Sequence, residues 1–390
     1  PNRIGQGIEF DYCCVHAAMS FRALGYQAVM VNSNPETVST DYDTSNRLYL
    51  EPVTLERVLD VCQIENPIGV VVTLGGQTPL KIAHGLAEAG VPLLGDPLGA
   101  IDAAEDRGKF GEILAELGIA HPRWGVADTR EEALAVAREI GYPVLVRPHY
   151  VLGGRRMRVV RSPEELEIHE PSLVDEYLEG ALELDVDVLC DGTRAWVAGI
   201  LEHVEHAGVH SGDSACVFPG PSVSPEIEQR VREIADALVG RIGARGLMNL
   251  QLAIGRGGEL QVIEANPRAS RTVPFIAKAT GIHLVDLMLW VTGERPSSRP
   301  VSRRTRRGRL RPAGPTCRSS PCVVAHERLK TEPGEVIREL LQAILNVLND
   351  LQPSPRVDAF LLLCRQFARG AGIANPVLAA IGQKGAQVGC

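Results

Sequence analysis

Polar side chains near the ends of two consecutive predicted strands are the strongest candidates for chemistry. Gln251 lies on the strand predicted from Gly246 to Ile254, and Glu264 and Asn266 end the next one. Successive side chains on a strand alternate between its faces, so Glu264 and Asn266 point the same way. Carboxylate and amide oxygens suit Mg²⁺, which binds through few carboxylates plus substrate phosphates. The alternative is a polar strand end that only faces solvent.

Two arginines, Arg268 and Arg271, follow directly after these candidate metal ligands. A guanidinium group binds planar or phosphate-like anions through paired hydrogen bonds. A cation with two adjacent arginines indicates a site where a phosphoryl group meets a small anion. Either arginine alone would be weak evidence, because surface arginines are common.

Two glycine-containing loops could contact a nucleotide. Arg147 ends the predicted strand Pro143–Pro148 and precedes Gly153 and Gly154, whose flexible backbone could bring N–H groups to phosphate oxygens. A hairpin turn is an equally good interpretation of that pair. The second loop, 208–214, is rich in polar groups.

The segment Glu202-His203-Val204-Glu205-His206 resembles a metal cluster at first sight. On a strand, His203 and Glu205 face one way while Glu202 and His206 face the other, so the four do not converge. We therefore predict no transition-metal site from this segment, and no zinc site elsewhere in the chain.

The elements that must position these residues fall into two classes. Residues 1–100 alternate helical patterns with short apolar strands such as Ile68–Leu74, which predicts a parallel sheet covered on both faces. Residues 101–293 combine helices with strands that alternate as antiparallel strands do, which predicts an α+β domain. Within it, a helix is predicted from Asp102 to Leu117.

Composition describes an ordinary globular protein with a net charge of −8, which argues against non-specific nucleic-acid binding. No apolar run approaches the roughly 18 residues that span a bilayer, and no leader opens the chain, so no membrane association is expected. Nine cysteines without C-x-x-C spacing predict reduced thiols in a cytoplasmic protein.

Residues 294–390 form a divergent tail. Between Arg295 and His326 the chain has nine arginines and no acidic residue, which predicts partial disorder, with a nucleic-acid-binding tail as the alternative.

Seven stretches stand out in order along residues 1–293: PNRIGQGIEFDYCCVHAA from Pro1, NPETVSTDYDTSNRLY from Asn34, EDRGKF from Glu105, VLVRPHYVLGG from Val144, EHVEHAGVHSGDSAC from Glu202, GLMNLQ from Gly246 and EANPRASRTVPF from Glu264. Together they resemble the carbamoyl phosphate synthase large-subunit family, and the first and last resemble its second, carbamate-phosphorylating half. The resemblance implies a pre-ATP-grasp parallel α/β domain over 1–100 and an α+β ATP-grasp domain over 101–293.

The resemblance also implies ATP-dependent phosphorylation of carbamate, with Mg²⁺ or Mn²⁺, in arginine and pyrimidine biosynthesis. A glutaminase small subunit would be the partner of the full enzyme, mainly through the absent first half.

The resemblance implies a role for each residue of this chain that matches a functional position of the family. Those implied for nucleotide binding are Arg107 and Arg147 on the phosphates, Asp175, Glu176 and Leu178 along the adenine hinge, Glu183 on the ribose, and Gly208, Val209, His210 and Ser211 in the pocket. Those implied for chemistry are Gln251, Glu264 and Asn266 on the metal, with Arg268 and Arg271 beside Asn266 as the catalytic set.

The chain also departs from the family pattern. The first half and the first strand of the pre-ATP-grasp domain are absent, and most of a helix is missing between Val160 and Asp175. His149 and Glu176 stand where the family pattern has a serine and a histidine. The tail resembles no later part of the family, and a shifted reading frame is one hypothesis for it.

Three hypotheses remain open from the sequence. The chain is an active partial enzyme that also forms ATP from carbamoyl phosphate and ADP, another ATP-grasp ligase such as a biotin-carboxylase-like enzyme, or a truncated, inactive fragment that binds nucleotide.

Overall fold

A computed structural model of the chain describes residues 7–148, 157–207 and 214–291. All of these residues except 22–27 belong to one compact unit, to which the contacts below refer. No helix among the described residues is long and apolar enough to cross a bilayer.

The first hundred residues contain short strands and several helices. The elements are α1 (Ile8–Ala23), β1 (Val29–Val31), β2 (Arg47–Tyr49), α2 (Leu55–Glu65), α3 (Gln77–Leu80) and α4 (Ala83–Glu88). Strands β1 and β2 pair in parallel, and Val70 forms a parallel bridge to Leu93, so the predicted parallel pairing is confirmed. Among the described residues, the predicted strand Ile68–Leu74 is reduced to that bridge, because no other residue of the segment pairs with a described strand.

The predicted helix from Asp102 to Leu117 is in fact two helices. They are α5 (Leu98–Glu105) and α6 (Arg107–Glu116). Asp106 separates them, and its carboxylate accepts a hydrogen bond of 3.0 Å from the backbone N–H of Lys109. Aspartate is more stable as an N-cap than inside a helix, which explains the break. The break places Arg107 at the first position of α6.

A four-stranded antiparallel sheet follows, with one helix. Its elements are β3 (Trp124–Ala127), α7 (Arg130–Ile140), β4 (Val144–Pro148), β5 (Arg158–Val160) and β6 (Ser172–Glu176). The strand order is β3-β6-β4-β5. Thr129 and Glu132 form a capping box at the start of α7, which satisfies backbone donors that would otherwise lack partners.

A second antiparallel sheet of five strands forms the centre of the α+β part. Its elements and flanking helices are β7 (Leu182–Asp191), β8 (Ala195–His206), β9 (Cys216–Val217), α8 (Pro225–Ile242), β10 (Arg245–Ile254), β11 (Leu260–Asn266), α9 (Val273–Thr280) and α10 (Leu284–Val291). The strand order is β11-β10-β7-β8-β9. Leu184, Val186 and Val188 of β7 share a buried apolar cluster with residues of α8, including Leu238. This cluster leaves the opposite face of β7 free to carry polar groups.

Replacing Leu238 by alanine is expected to lower the free energy of unfolding by about 2–5 kcal/mol, because it leaves a cavity in this cluster. Leu238 is 0% exposed. Chemical denaturation measures the change. The control Ile64→Ala, at a side chain that is 67% exposed, should change the value by no more than about 0.5 kcal/mol. Equal effects of the two substitutions would contradict the assignment of Leu238 to the core.

Candidate functional site

One face of the five-stranded sheet is lined by acidic side chains. Alternation along β7 turns Glu183, Asp185 and Asp187 away from the apolar cluster, and all three are buried. Burial and the neighbouring Asp185 raise the pKa of Asp187 to about 6, against hydrogen bonds from Ser270, Thr272 and Asn249 that lower it. Such a concentration of buried carboxyl groups is unfavourable unless a cation or hydrogen-bond donors accompany it.

The register of the sheet brings the three predicted metal ligands onto this face. Gln251 on β10 lies opposite Asp185 on one side and opposite Glu264 on the other. Asn266 follows on β11, and its Nδ2 donates a hydrogen bond of 2.9 Å to Glu264 Oε1. Gln251, Glu264 and Asn266 therefore form a set of hard oxygen donors, whose chemistry fits Mg²⁺.

Arg268 is hydrogen-bonded to this set. Its Nη2 donates to Asn266 Oδ1 at 3.0 Å, and its Nε donates to Gln77 Oε1 at 3.0 Å. The amide of Gln77 donates in turn to Glu105 at 2.6 Å. The guanidinium also lies 5.5 Å from the centroid of the Phe10 ring. These contacts fix the plane of the guanidinium beside the candidate metal ligands.

Arg271 is placed differently. Its Nε lies 3.5 Å from Glu9 Oε1 on α1, and both side chains are partly exposed. The residue after Arg271 anchors this segment to the sheet, since Thr272 Oγ1 donates a hydrogen bond of 2.6 Å to Asp187 Oδ2. The two predicted catalytic arginines thus share one anchored segment but have separate partners.

Arg107 and Arg147 meet at one carboxylate. Arg107 Nη2 lies 2.6 Å from Asp175 Oδ1, and Arg147 Nε lies 2.9 Å from Asp175 Oδ2. Burial raises the pKa of Asp175, an effect that Arg147 opposes and the charge of Glu264 reinforces. Asp175 is therefore the shared ion-pair partner of both predicted phosphate-binding arginines.

The other two predicted hinge residues, Glu176 and Leu178, have different partners. Glu176 accepts a hydrogen bond from the backbone N–H of Arg123 at 3.1 Å and pairs with its guanidinium, so it is held by Arg123 rather than by the arginine pair. Leu178 packs against a small apolar cluster that contains Ala181 and Ala253. The predicted loop residues Gly208, Val209, His210 and Ser211, together with His149, lie outside the described residues.

Glu183 has a pKa raised to about 7, chiefly because it is buried; His203 opposes this shift, and the charges of Asp185 and Glu264 add to it. Its protonation therefore changes near neutral pH.

Three residues of the histidine-containing strand, Glu202, His203 and Glu205, have separate partners. Glu202 accepts hydrogen bonds from Ser222, and Glu205 accepts one of 2.6 Å from Ser214 Oγ. His203 instead points to the acidic face, with Nε2 3.3 Å from Asp185 Oδ2. Burial alone would lower the pKa of His203, but hydrogen bonds to Asp185 and Cys216 raise it to about 10.

Sequence reasoning missed several residues of this face. Those that the structure adds are Asp185, Asp187, Asn249, His203, Gln77 and Glu105. The alternating sequence Glu-Leu-Asp-Val-Asp of β7 carried a usable signal for the acidic residues, because three acids spaced by two share one face of a strand. No local pattern indicates Gln77, which meets Arg268 from 191 positions away.

Two family models match consecutive parts of the chain. Residues 1–103 match the carbamoyl phosphate synthase preATP-grasp domain, and residues 106–296 match the ATP binding domain of the carbamoyl-phosphate synthase L chain. The fold thus comprises a pre-ATP-grasp domain and an ATP-grasp domain. The chain belongs to the carbamoyl phosphate synthase large-chain family.

Curated relatives agree with this assignment, and a solved structure shares the fold. The large chain of Rubrobacter xylanophilus is 55% identical, covering 74% of this chain and 28% of its own length, and that of Kocuria rhizophila is 49% identical, with 87% and 32% covered. The chain therefore spans about three tenths of the length of these relatives. The biotin carboxylase domain of Hydrogenobacter thermophilus 2-oxoglutarate carboxylase, solved with MgADP and bicarbonate, has a TM-score of 0.62 at 20% identity, with 73% of this chain and 68% of that chain covered. At that identity the likeness shows the fold alone.

Proposed function

We propose that this chain transfers the γ-phosphoryl group of ATP to carbamate, giving carbamoyl phosphate and ADP, as the second-half synthetase unit of a glutamine-dependent carbamoyl phosphate synthase. The observation that carries the proposal is the hydrogen-bonded series Glu264–Asn266–Arg268 beside Gln251 on a buried acidic face. It joins a hard cation site to a fixed guanidinium, as phosphoryl transfer to a small anion requires.

Gln251, Glu264 and Asn266 would hold Mg²⁺, and Mn²⁺ suits the same oxygen donors. When bound, the cation would neutralise charge on the transferred phosphate. Glu264 supplies the carboxyl group of this set, and Gln251 and Asn266 supply amide oxygens. Asn266 donates to Glu264 and accepts from Arg268, so it keeps the carboxylate and the guanidinium in fixed relative positions.

In the reaction, a carbamate oxygen attacks the γ-phosphorus in line with the bond to ADP. The new O–P bond forms as the bond to the β-phosphate oxygen breaks, and ADP leaves with that electron pair. Arg268 and Arg271 would stabilise the charge on the transferred group and on carbamate. Positioning and charge neutralisation account for the catalysis, and no covalent enzyme intermediate is required.

For the nucleotide, Arg107 and Arg147 would bind phosphate oxygens once ATP competes with Asp175 for their donors. Asp175, Glu176 and Leu178 would lie along the adenine hinge, with the loop 208–211 completing the pocket. In the full-length enzyme, we further propose that a glutaminase small subunit is the partner and that the product serves arginine and pyrimidine biosynthesis.

The proposal is tested by incubating the purified chain with carbamoyl phosphate, ADP and Mg²⁺ and measuring ATP. Formation of ATP that requires all three components would support it, because this reverse reaction needs neither glutaminase nor bicarbonate. A folded chain that binds ADP but forms no ATP would contradict activity and favour an inactive nucleotide-binding fragment.

Glu183→Gln is expected to abolish part of the pH dependence of ADP binding. The ionised carboxylate of Glu183 would accept hydrogen bonds from the ribose hydroxyls, and protonation would weaken these bonds, because a neutral carboxyl group is a weaker acceptor than a carboxylate. With the pKa near 7, the ADP affinity of the unmodified chain should rise by about tenfold between pH 6 and pH 8. The phosphates of ADP also titrate over this range. Isothermal calorimetry therefore gives the slope of ADP affinity against pH for both proteins, and the difference between the two slopes is the result. Parallel slopes would contradict the role of Glu183.

A further inference from the structure

Three side chains of metal-ligating type converge at the acidic face. Asp185, His203 and Cys216 each offer one ligand atom, and these atoms lie within 4.8 Å of one another. Asp185 Oδ2 and His203 Nε2 are 3.3 Å apart. Among the residues that the structure describes, these are the three His, Cys, Asp or Glu side chains that lie close enough together to hold a metal ion.

Neighbouring strands fix this group. His203 on β8 lies directly opposite Cys216 on β9, so the two side chains share a face of the sheet. Asp185 on β7 lies opposite Leu201, which puts it diagonally across from His203 on the same face. Ligands on paired strands are held more rigidly than ligands on loops. The arrangement therefore exists before any ion binds.

The chemistry of the group differs from that of Gln251, Glu264 and Asn266. A thiolate, an imidazole and a carboxylate together are typical zinc ligands, whereas Mg²⁺ requires oxygen donors. The orientation of the Asp185 carboxylate is also fixed by a residue outside the group, since Asn249 Nδ2 donates a hydrogen bond of 2.7 Å to Asp185 Oδ1. That contact leaves Oδ2 directed at His203, as outer-shell partners of metal ligands do.

We propose that Asp185, His203 and Cys216 bind a divalent cation of borderline softness, best represented by Zn²⁺, at a site distinct from the proposed Mg²⁺ site. Three protein ligands leave a fourth tetrahedral position for water. Since the binding forms are a thiolate and a neutral imidazole, binding releases protons and strengthens with increasing pH. The proposal goes beyond phosphoryl transfer, because such an ion could bind whether or not the chain is active.

Co²⁺ is the probe, because a thiolate that ligates it gives a charge-transfer absorption band in the near ultraviolet. The full chain, reduced with a phosphine, is titrated with Co²⁺ in excess Mg²⁺. We expect a thiolate band that saturates, that excess Mg²⁺ does not remove, and that one equivalent of Zn²⁺ removes. Absence of a band would overturn the proposal.

Variants assign the band to its ligands. Cys216→Ser should remove it and Cys62→Ser, on α2, should retain it. His203→Asn should weaken Co²⁺ binding by at least about tenfold, because mutation of even an outer-shell partner of a metal ligand costs about 10- to 100-fold. If Cys216→Ser does not fold, Cys216→Ala replaces it. A band of equal intensity in the Cys216 variant and in the unmodified chain would place the metal at other thiols and overturn the proposal.

Discussion

Glu264→Gln is expected to lower the rate of ATP formation from carbamoyl phosphate and ADP by roughly 100- to 1,000-fold, the range found when one contact to developing charge is lost. Glutamine keeps the size of the side chain and an oxygen that can accept from Asn266. It removes the negative charge that, with Gln251, would hold the cation. Higher Mg²⁺ should restore part of the rate, because the loss includes weaker metal binding.

Glu259→Gln is the matched control for this prediction. Glu259 is exposed and lies just before β11, whereas Glu264 and Asn266 lie at its other end. The control should retain the rate and the Mg²⁺ dependence of the unmodified chain. Rates measured across a Mg²⁺ series distinguish the two variants. If Glu264→Gln matched Glu259→Gln at every concentration, Glu264 would not be a metal ligand.

Local rules predicted the central part of the candidate site. The shared face of Glu264 and Asn266 follows from the alternation of a strand, and their proximity to Gln251 follows from a hairpin between β10 and β11. Both depend on contacts between residues close in sequence. The same locality explains why the antiparallel strands of the larger sheet were predicted correctly.

Contacts between distant segments were not predictable in this way. Arg268 meets Gln77, and Arg271 meets Glu9, through packing of the first hundred residues against the arginine segment. His203 is the most instructive case. The sequence predicted no metal cluster among its neighbours along the strand, and it gave no signal for Asp185 and Cys216, which lie close to His203 on other strands.

The predicted helix boundaries were wrong where a polar residue is more stable as a cap than inside a helix. Asp106 has the chemistry of an N-cap, and the continuous helix predicted across it ignored that preference. The error matters for function, because the new helix start positions Arg107 against Asp175. The strand predicted for Ile68–Leu74 was wrong for another reason, because an apolar composition does not determine whether a neighbouring strand pairs with the segment.

Arg268→Met is expected to lower kcat for ATP formation by about 1,000-fold or more, as removal of an arginine that stabilises phosphoryl transfer does. The KM for ADP should change far less, because the guanidinium is proposed to act on the transferred group and not on the nucleotide. Arg268→Lys should give an intermediate rate, since lysine retains charge but not the planar fork that bonds Asn266 and Gln77.

A control variant and a stability measurement distinguish loss of the guanidinium charge from loss of folding. Arg194→Met removes an ion pair with Asp236 at a side chain that is 76% exposed, and should leave kcat unchanged. Removing Arg268 leaves Gln77 and Asn266 without a donor, so thermal unfolding of each variant is measured alongside the rate. A folded Arg268→Met chain that differs only in KM would limit Arg268 to ground-state binding. A selective loss of kcat, graded from lysine to methionine, would instead be the behaviour of a guanidinium that contacts the transition state.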